Sequence, residues 1–409
     1  MTIPFGVPKL GWTELTKAGL GSAVRLLDEA APDGVRDELG LGAIHFAYAE
    51  RFFPGTSVLQ TRPRYLWLVC WAYEELSELH AGRPFPHGEL RSIEERTGRR
   101  LMKGLENDKA EGSGIIGWRR YQVGAAPVVM PSRIYWNALK QWGVLQDQWP
   151  EGAPPDQSSL HARWDVLVPR HGRDSASPSA LFRDLPPCPD DWVRAKPPLR
   201  LDMEPIEAKR LREILAGIPC RPNGVQPLLA VLARTGVGAD ATAPWSPDIL
   251  AIASAADRAA LRRAEQAASL VCLARALYAA MIEELKATDL LDKKPVKFHR
   301  SNLWTLHNKH HSLATTLDVG TLEGDGVKMT ADFSDLLKRI QDWAAKGGDY
   351  AHLVGPFRKR EFSLKGSRAA LAPSASARRA NWQQARPAQP LDYRWPVVAR
   401  CLADAKGRL

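Results

Sequence analysis

An unbroken apolar run, Tyr65 to Tyr73 (YLWLVCWAY), constrains this chain more than any other stretch. It is too short to cross a bilayer, which takes about 20 residues. It is also apolar on every side of a helix, so that helix must be enclosed by neighbours all round. Ahead of it, Leu41, Ile44, Tyr48 and Phe52 recur at helical spacing until Pro54-Gly55 ends the pattern. Pro63 stands where a first helical position tolerates a missing N–H. Residues 39–79 therefore read as helix, short loop and central helix, a framework rather than a reaction centre.

The remaining chain repeats the helical signal. Leu20, Val24 and Leu27 share one face within 9–31, and Arg91 to Leu105 reads as a charged helix. In PSRIYWNALKQWGV, Ser132 is a candidate N-cap and Gly143 a candidate stop, with Ile134, Tyr135, Ala138, Leu139 and Trp142 in one stripe. Asp202 and Asp332 are placed to cap further helices, and Arg258 to Lys286 is one uninterrupted pattern of roughly 40 Å. Residues 390–403 read as a last helix, and 363–389, rich in Ala, Ser and Arg, as mobile. Only 115–129 suggests a short hairpin. The expectation is a mainly α, multi-helix fold of two domains with minor β-hairpin elements. Residues 1–146 would form an N-terminal helical domain with a helix-turn-helix-like unit, 147–200 a Pro/Ser-rich connection, and 201–409 a C-terminal helical domain.

Charge is unevenly spread. Lys and Arg against Asp and Glu number 18 to 17 in residues 1–150, 17 to 18 in 151–291 and 21 to 11 in 292–409. The net +10 thus resides in the last third, which suits a polyanionic partner, although a solvated basic surface has the same composition. Lys293, Lys294, Lys297, Arg300 and Lys309 gather with His299, His310 and His311 around Phe298 and Trp304. Arg358, Lys359, Arg360, Lys365, Arg368, Arg378 and Arg379 form a second group, broken by Glu361. Cations interleaved with aromatics are what a nucleic-acid backbone and its bases require. In the first third, Arg133, Asn137, Lys140 and Gln141 make a polar helical stripe of the kind that reads a major groove. Arg119 and Arg120 precede it, and Arg62 and Arg64 flank a helix N-terminus that favours anions or, alternatively, pair with Glu50 or Glu74.

Catalytic signatures are missing. The sequence has no Walker A loop, Rossmann glycines or GxSxG, and His307, His310 and His311 lack the glutamate of a zincin motif. Five scattered cysteines give neither a disulfide framework nor a zinc ribbon. No cofactor or metal is expected. The start MTIPFGVPKL shows no secretion signal, so a cytoplasmic location without membrane contact is expected.

The wording RFFPGTSVLQTRPRYLWLVCWAYEEL, GSGIIGWRRY, VMPSRIYWNALKQWGVL and LDYRWPVVARCL resembles an uncharacterised bacterial family, a domain of unknown function spanning the chain. The resemblance implies a setting beside helicase, phospholipase D-like or methyltransferase genes of anti-phage islands, and it implies no catalytic residues. The leading expectation is a non-enzymatic nucleic-acid-binding or adaptor subunit of a defence system, contacting DNA in preference to RNA and partner proteins such as a helicase. The alternatives are a protein scaffold acting through exposed Trp and Pro segments, and an unfamiliar metal-dependent nuclease or hydrolase using His307 and His310.

Overall fold

Two helices enclosed on nearly every side organise the protein, for which a computed structural model describes residues 37–105, 114–146, 149, 152–168, 181–193, 198–289 and 297–406. The helix expected over 9–31 lies outside these residues, as do Lys293 and Lys294. Within the described residues, 37 onward form one compact unit.

The first centre is α2 (Tyr65–His80), in which no residue from Tyr65 to Tyr73 is more than 3% exposed. Ahead of it comes α1 (Gly42–Phe52); α3 (His87–Lys103) and α5 (Pro131–Gln141) pack directly on it, and α4 (Trp118–Gln122) packs on α3. The connection contributes α6 (Gln157–Ala162), α7 (Trp164–Leu167) and α8 (Asp190–Val193), and it buries Trp149, Trp164, Phe182 and Trp192 in the same core. A spacer to this extent anchored does not separate two packing units.

The second centre is α12 (Ala255–Thr288), about 51 Å long. Its alanines at 264, 267, 268, 274, 276 and 280 let neighbours approach closely, and Ser254 caps it by accepting the Asp257 N–H. α13 (Phe298–Thr316) runs along α12, and α14 (Ala331–Lys346) packs on both. α15 (Val354–Lys365) packs on α14, and Tyr278 of α12 donates to the fully buried Glu361. α9 (Pro205–Ala216), α10 (Leu228–Thr235) and α17 (Trp395–Lys406) form a third group, while α11 (Pro247–Ile252) and α16 (Ser376–Ala380) lean on α12.

Several local expectations change. The 115–129 segment forms α4, not a hairpin: Gly117 takes φ +74° under Pro127, and Tyr121 packs against Gly98, where any Cβ would collide with its ring. Among the described residues the sheet content is one isolated bridge, Leu145 to Phe182. Ser132 lies inside α5 rather than capping it. Pro131 takes the first position, and the Glu94 carboxylate from α3 accepts the Ser132 N–H at 2.7 Å. Glu204, not Asp202, caps α9 in a reciprocal box with Glu207, and Thr330, not Asp332, precedes α14. Residues 363–389 are ordered by packing. Ala369 to Leu371 are buried, Glu361 accepts the N–H groups of Ala370 and Leu371, and Arg379 is 1% exposed with its guanidinium on Asp289 and three carbonyls.

Arginine struts join the groups. Arg64 pairs with buried Glu207 at 2.8 Å, Arg62 with Asp404 and Asp202, and Arg394 with Glu50 and the Thr56 carbonyl. Arg51 spans Asp257 and Asp325, each of which also holds a second arginine, Arg221 and Arg263 respectively. Tyr393 and Arg394 both adopt positive φ, a strained conformation for non-glycine residues. It is held by the Tyr393 hydroxyl on the Ala264 carbonyl and by the Arg394 contacts, so the LDYRWP wording encodes a clamp between α17, α12 and α1.

Candidate nucleic-acid interface

The candidate cations fall into two classes. In the first, the charge is spent within the fold. Arg62 and Arg64 are struts, as the pairing alternative allowed, although their partners are Asp404, Asp202 and Glu207 rather than Glu50 or Glu74. Arg360 is 8% exposed, pairs with Asp332, donates to the Leu39 carbonyl and stacks over Phe333. Lys365 pairs with Glu38, and Arg300 with Glu283, whose carboxylate also caps α13 through the N–H groups of His299 and Arg300. Arg358 donates to the Leu371 carbonyl. The ion-paired residues leave the set available to a phosphate, because a paired charge must give up its partner before gaining a new one; Arg358, bonded to a carbonyl alone, keeps its charge.

The second class remains open to solvent. Arg133 and Asn137 are exposed on α5 and, with Lys140 and Gln141, make no hydrogen bond or ion pair, so this part of the expected stripe is in place. Arg119 and Arg120 lie on α4, Arg119 over the Trp118 ring and Arg120 donating to the Ala126 carbonyl. Lys297, Lys309, Lys359 and Arg368 are exposed and carry no ion pair. The last-third surplus is therefore thinner than its sequence count.

Two of the unpaired last-third cations, Lys297 and Lys309, belong to α13. Its solvent face carries Lys297, Ser301, Thr305, Asn308, Lys309 and Ser312, with Phe298 38% and Trp304 44% exposed. At 3.6 residues per turn, Trp304 falls on one margin of this face and Phe298 and Lys309 on the other. Beneath the first margin, Trp304 rests against Trp343 and His307 and close to Gly347, the positive-φ residue that ends α14. Exposed Lys346 directly precedes that glycine. At the second margin, His299 bonds the Gln384 carbonyl and packs edge-on to Trp382, bringing residues 382–389 alongside.

The histidines serve the packing. His307 bonds the Ala344 carbonyl, His310 the Ser269 hydroxyl, and both are buried rather than surface residues; burial lowers the His310 pKa. Among the described residues no three His, Cys, Asp or Glu side chains come together as a metal would need. Nor is any described helix long and apolar enough to cross a membrane. Among the described residues most tryptophans are interior, and Trp304 is the most exposed.

Residues 8–151 match the model of a family of unknown function (DUF6361). The matched stretch contains the TRPRY and PSRIYWNALKQWG wording and stops short of LDYRWP. No curated protein and no solved structure matches the chain. The match ends shortly after α5, whereas the aromatic and basic face of α13 lies beyond it.

Lys297, Lys309, Phe298 and Trp304, grouped together in the sequence, all lie on α13 or at its start. The sequence did not reveal His352 and Lys359 as companions of Arg339. These residues share an open groove of about 310 Å³ between α14 and α15, lined also by Asp332, Asp335 and Arg360. The available signal was the opposing charge pattern DxxD of α14 against RKR of α15, which is readable only once the two helices are known to pack.

Proposed function

We propose that this protein is a non-enzymatic nucleic-acid-binding subunit that holds a single-stranded segment on the exposed face of α13. The observation that carries the reading is Trp304, which keeps 44% of its surface in water between unpaired lysines while most tryptophans of the fold are buried. An exposed indole costs hydrophobic stabilisation, and a base stacked on it recovers that cost irrespective of sequence. Lys297, Lys309 and Lys346 supply the backbone charge, and Ser301, Thr305 and Asn308 leave the strand room to slide. Service within a bacterial anti-phage system, beside partners such as a helicase and with DNA favoured over RNA, is supported by the family resemblance alone.

The test is a gel-shift titration with single-stranded DNA, duplex DNA and single-stranded RNA at two salt concentrations. Wild type should bind the single strand, more weakly as salt rises, and Trp304→Ala should weaken it roughly tenfold, the scale of one base stacked on one aromatic ring. Equal binding by both proteins defeats the reading. Arg360→Ala is unsuitable as a probe because it removes a strut.

A second reading, a protein adaptor, is favoured by one feature. Phe46 and Leu364 are 55% and 44% exposed on either side of the Gly40–Gly42 turn, and Phe362 nearby is 57% exposed. Salt-insensitive association with a partner protein, abolished by Phe46→Ser, would favour this reading.

A further inference from the structure

The α14–α15 groove and the exposed indole lie along one line of α14. Asp332, Leu336, Arg339, Trp343 and Gly347 recur at intervals of three and four, so at helical pitch they form a single row. The groove occupies the N-terminal part of that row. Trp304 covers its C-terminal part, against Trp343 and Gly347. From Arg339 to Gly347 is roughly 12 Å along the axis, a few nucleotides of strand at most.

Arg339, Lys359 and Arg360 face Asp332 and Asp335 in the groove, and Asp342 also acts on Arg339, so what matters is which groups keep a free valence. Asp332 is fully answered, one oxygen taking the Thr330 hydroxyl and the other the Arg360 guanidinium at 2.7 Å. Asp335 accepts from Arg339 Nε, also at 2.7 Å, which leaves the terminal nitrogens of that guanidinium without an assigned acceptor. Lys359 and His352 are exposed and form no hydrogen bond or ion pair. The groups left without a partner, Lys359 and His352, are thus donors on α15 and the turn just ahead of it.

Resting on the single-strand reading above, we infer that this groove takes one phosphate group of the strand whose base stacks on Trp304. Lys359 and His352 bind its oxygens, Arg339 turns its free nitrogens toward them, and Arg360 stays on Asp332. The site binds and orients; no bond is made or broken in it.

The experiment uses the full chain and fluorescein-labelled oligodeoxythymidylate in an anisotropy titration, with inorganic phosphate as competitor at constant ionic strength. Lys359→Ala with His352→Ala should weaken binding roughly five- to tenfold and flatten the salt dependence by about 0.7 in log–log slope for each phosphate the variant no longer neutralises. Competition by inorganic phosphate should disappear in this variant. Neither side chain has a partner within the fold, so its circular dichroism and thermal midpoint should match wild type. If the double variant binds and is competed like wild type while Trp304→Ala is impaired, the groove assignment is overturned and the single-strand reading stands. If wild type fails to bind the oligonucleotide at low salt, both are overturned.

Discussion

Glu94 offers the sharpest test of how the N-terminal helices are held. Its side chain lies under the N-terminus of α5, is 6% exposed and accepts the Ser132 N–H at 2.7 Å. Burial raises its pKa from 4.5 to about 7, and the bonds from Ser132 pull only partly the other way. The folded protein therefore holds a proton on Glu94 that the unfolded chain releases near pH 4.5. The associated stability is fully present below pH 4.5 and is lost as pH rises through 7. A shift of this size corresponds to about 3 kcal/mol. Glu94→Gln keeps an acceptor for the Ser132 N–H and removes the charge, at the cost of a favourable charge at the helix N-terminus of roughly 0.5–1 kcal/mol. The net expectation is a variant about 2 kcal/mol more stable than wild type at pH 8 and nearly equal to it at pH 4. Urea unfolding followed by tryptophan fluorescence at both pH values measures the difference. A variant less stable than wild type by the same amount at both values would show that carboxylate capping outweighs burial, and the reasoning would fail.

Arg64→Met should destabilise the protein by about 3–5 kcal/mol in urea, because Glu207 is left as an unpaired buried charge; adding Glu207→Met should recover part of that loss, less the roughly 1 kcal/mol of the α9 cap that Glu207 supplies. Burial lowers both His45 and His161 to about 4. The unfolded chain protonates them first as pH falls from 6.5, so stability is lost between pH 6.5 and 4, and His45→Gln with His161→Gln should flatten that limb in thermal melts. Residues 1–151 expressed alone should show no cooperative thermal transition by circular dichroism, since Arg51, Arg62 and Arg64 would be deprived of Asp257, Asp404 and Glu207. A sharp two-state melt of that fragment would contradict the role given to these struts.

Much of the fold was written locally. Periodicity located α2, α5, α12, α14 and α17, because a helix that buries one face must repeat its apolar residues near every third and fourth position. Gly143 was legible as a stop for a backbone reason: it takes positive φ, which other residues resist. Caps were less legible. Ser132 and Asp332 are the right residue types in the right neighbourhoods, but Glu94 reaches α5 from another helix and Thr330 stands one step ahead of α14. The segment 363–389 misled for a related reason. Its low hydrophobicity hides that Glu361 and Arg379 satisfy its backbone from inside the core.

For the interface, composition counted charges without regard to their partners. Arg62, Arg64, Arg360 and Arg379 look identical in sequence to Lys359 or Arg368, yet the former meet carboxylates brought from distant positions and the latter meet none. Sequence by itself determined that the chain is helical, where the central helices α2 and α12 run and that positive charge gathers late, since these follow from local spacing and residue type. Tertiary structure alone decided which of those charges remain free and which tryptophan stays in water. Ion pairing and burial depend on what other segments deliver across space, and no local pattern encodes that.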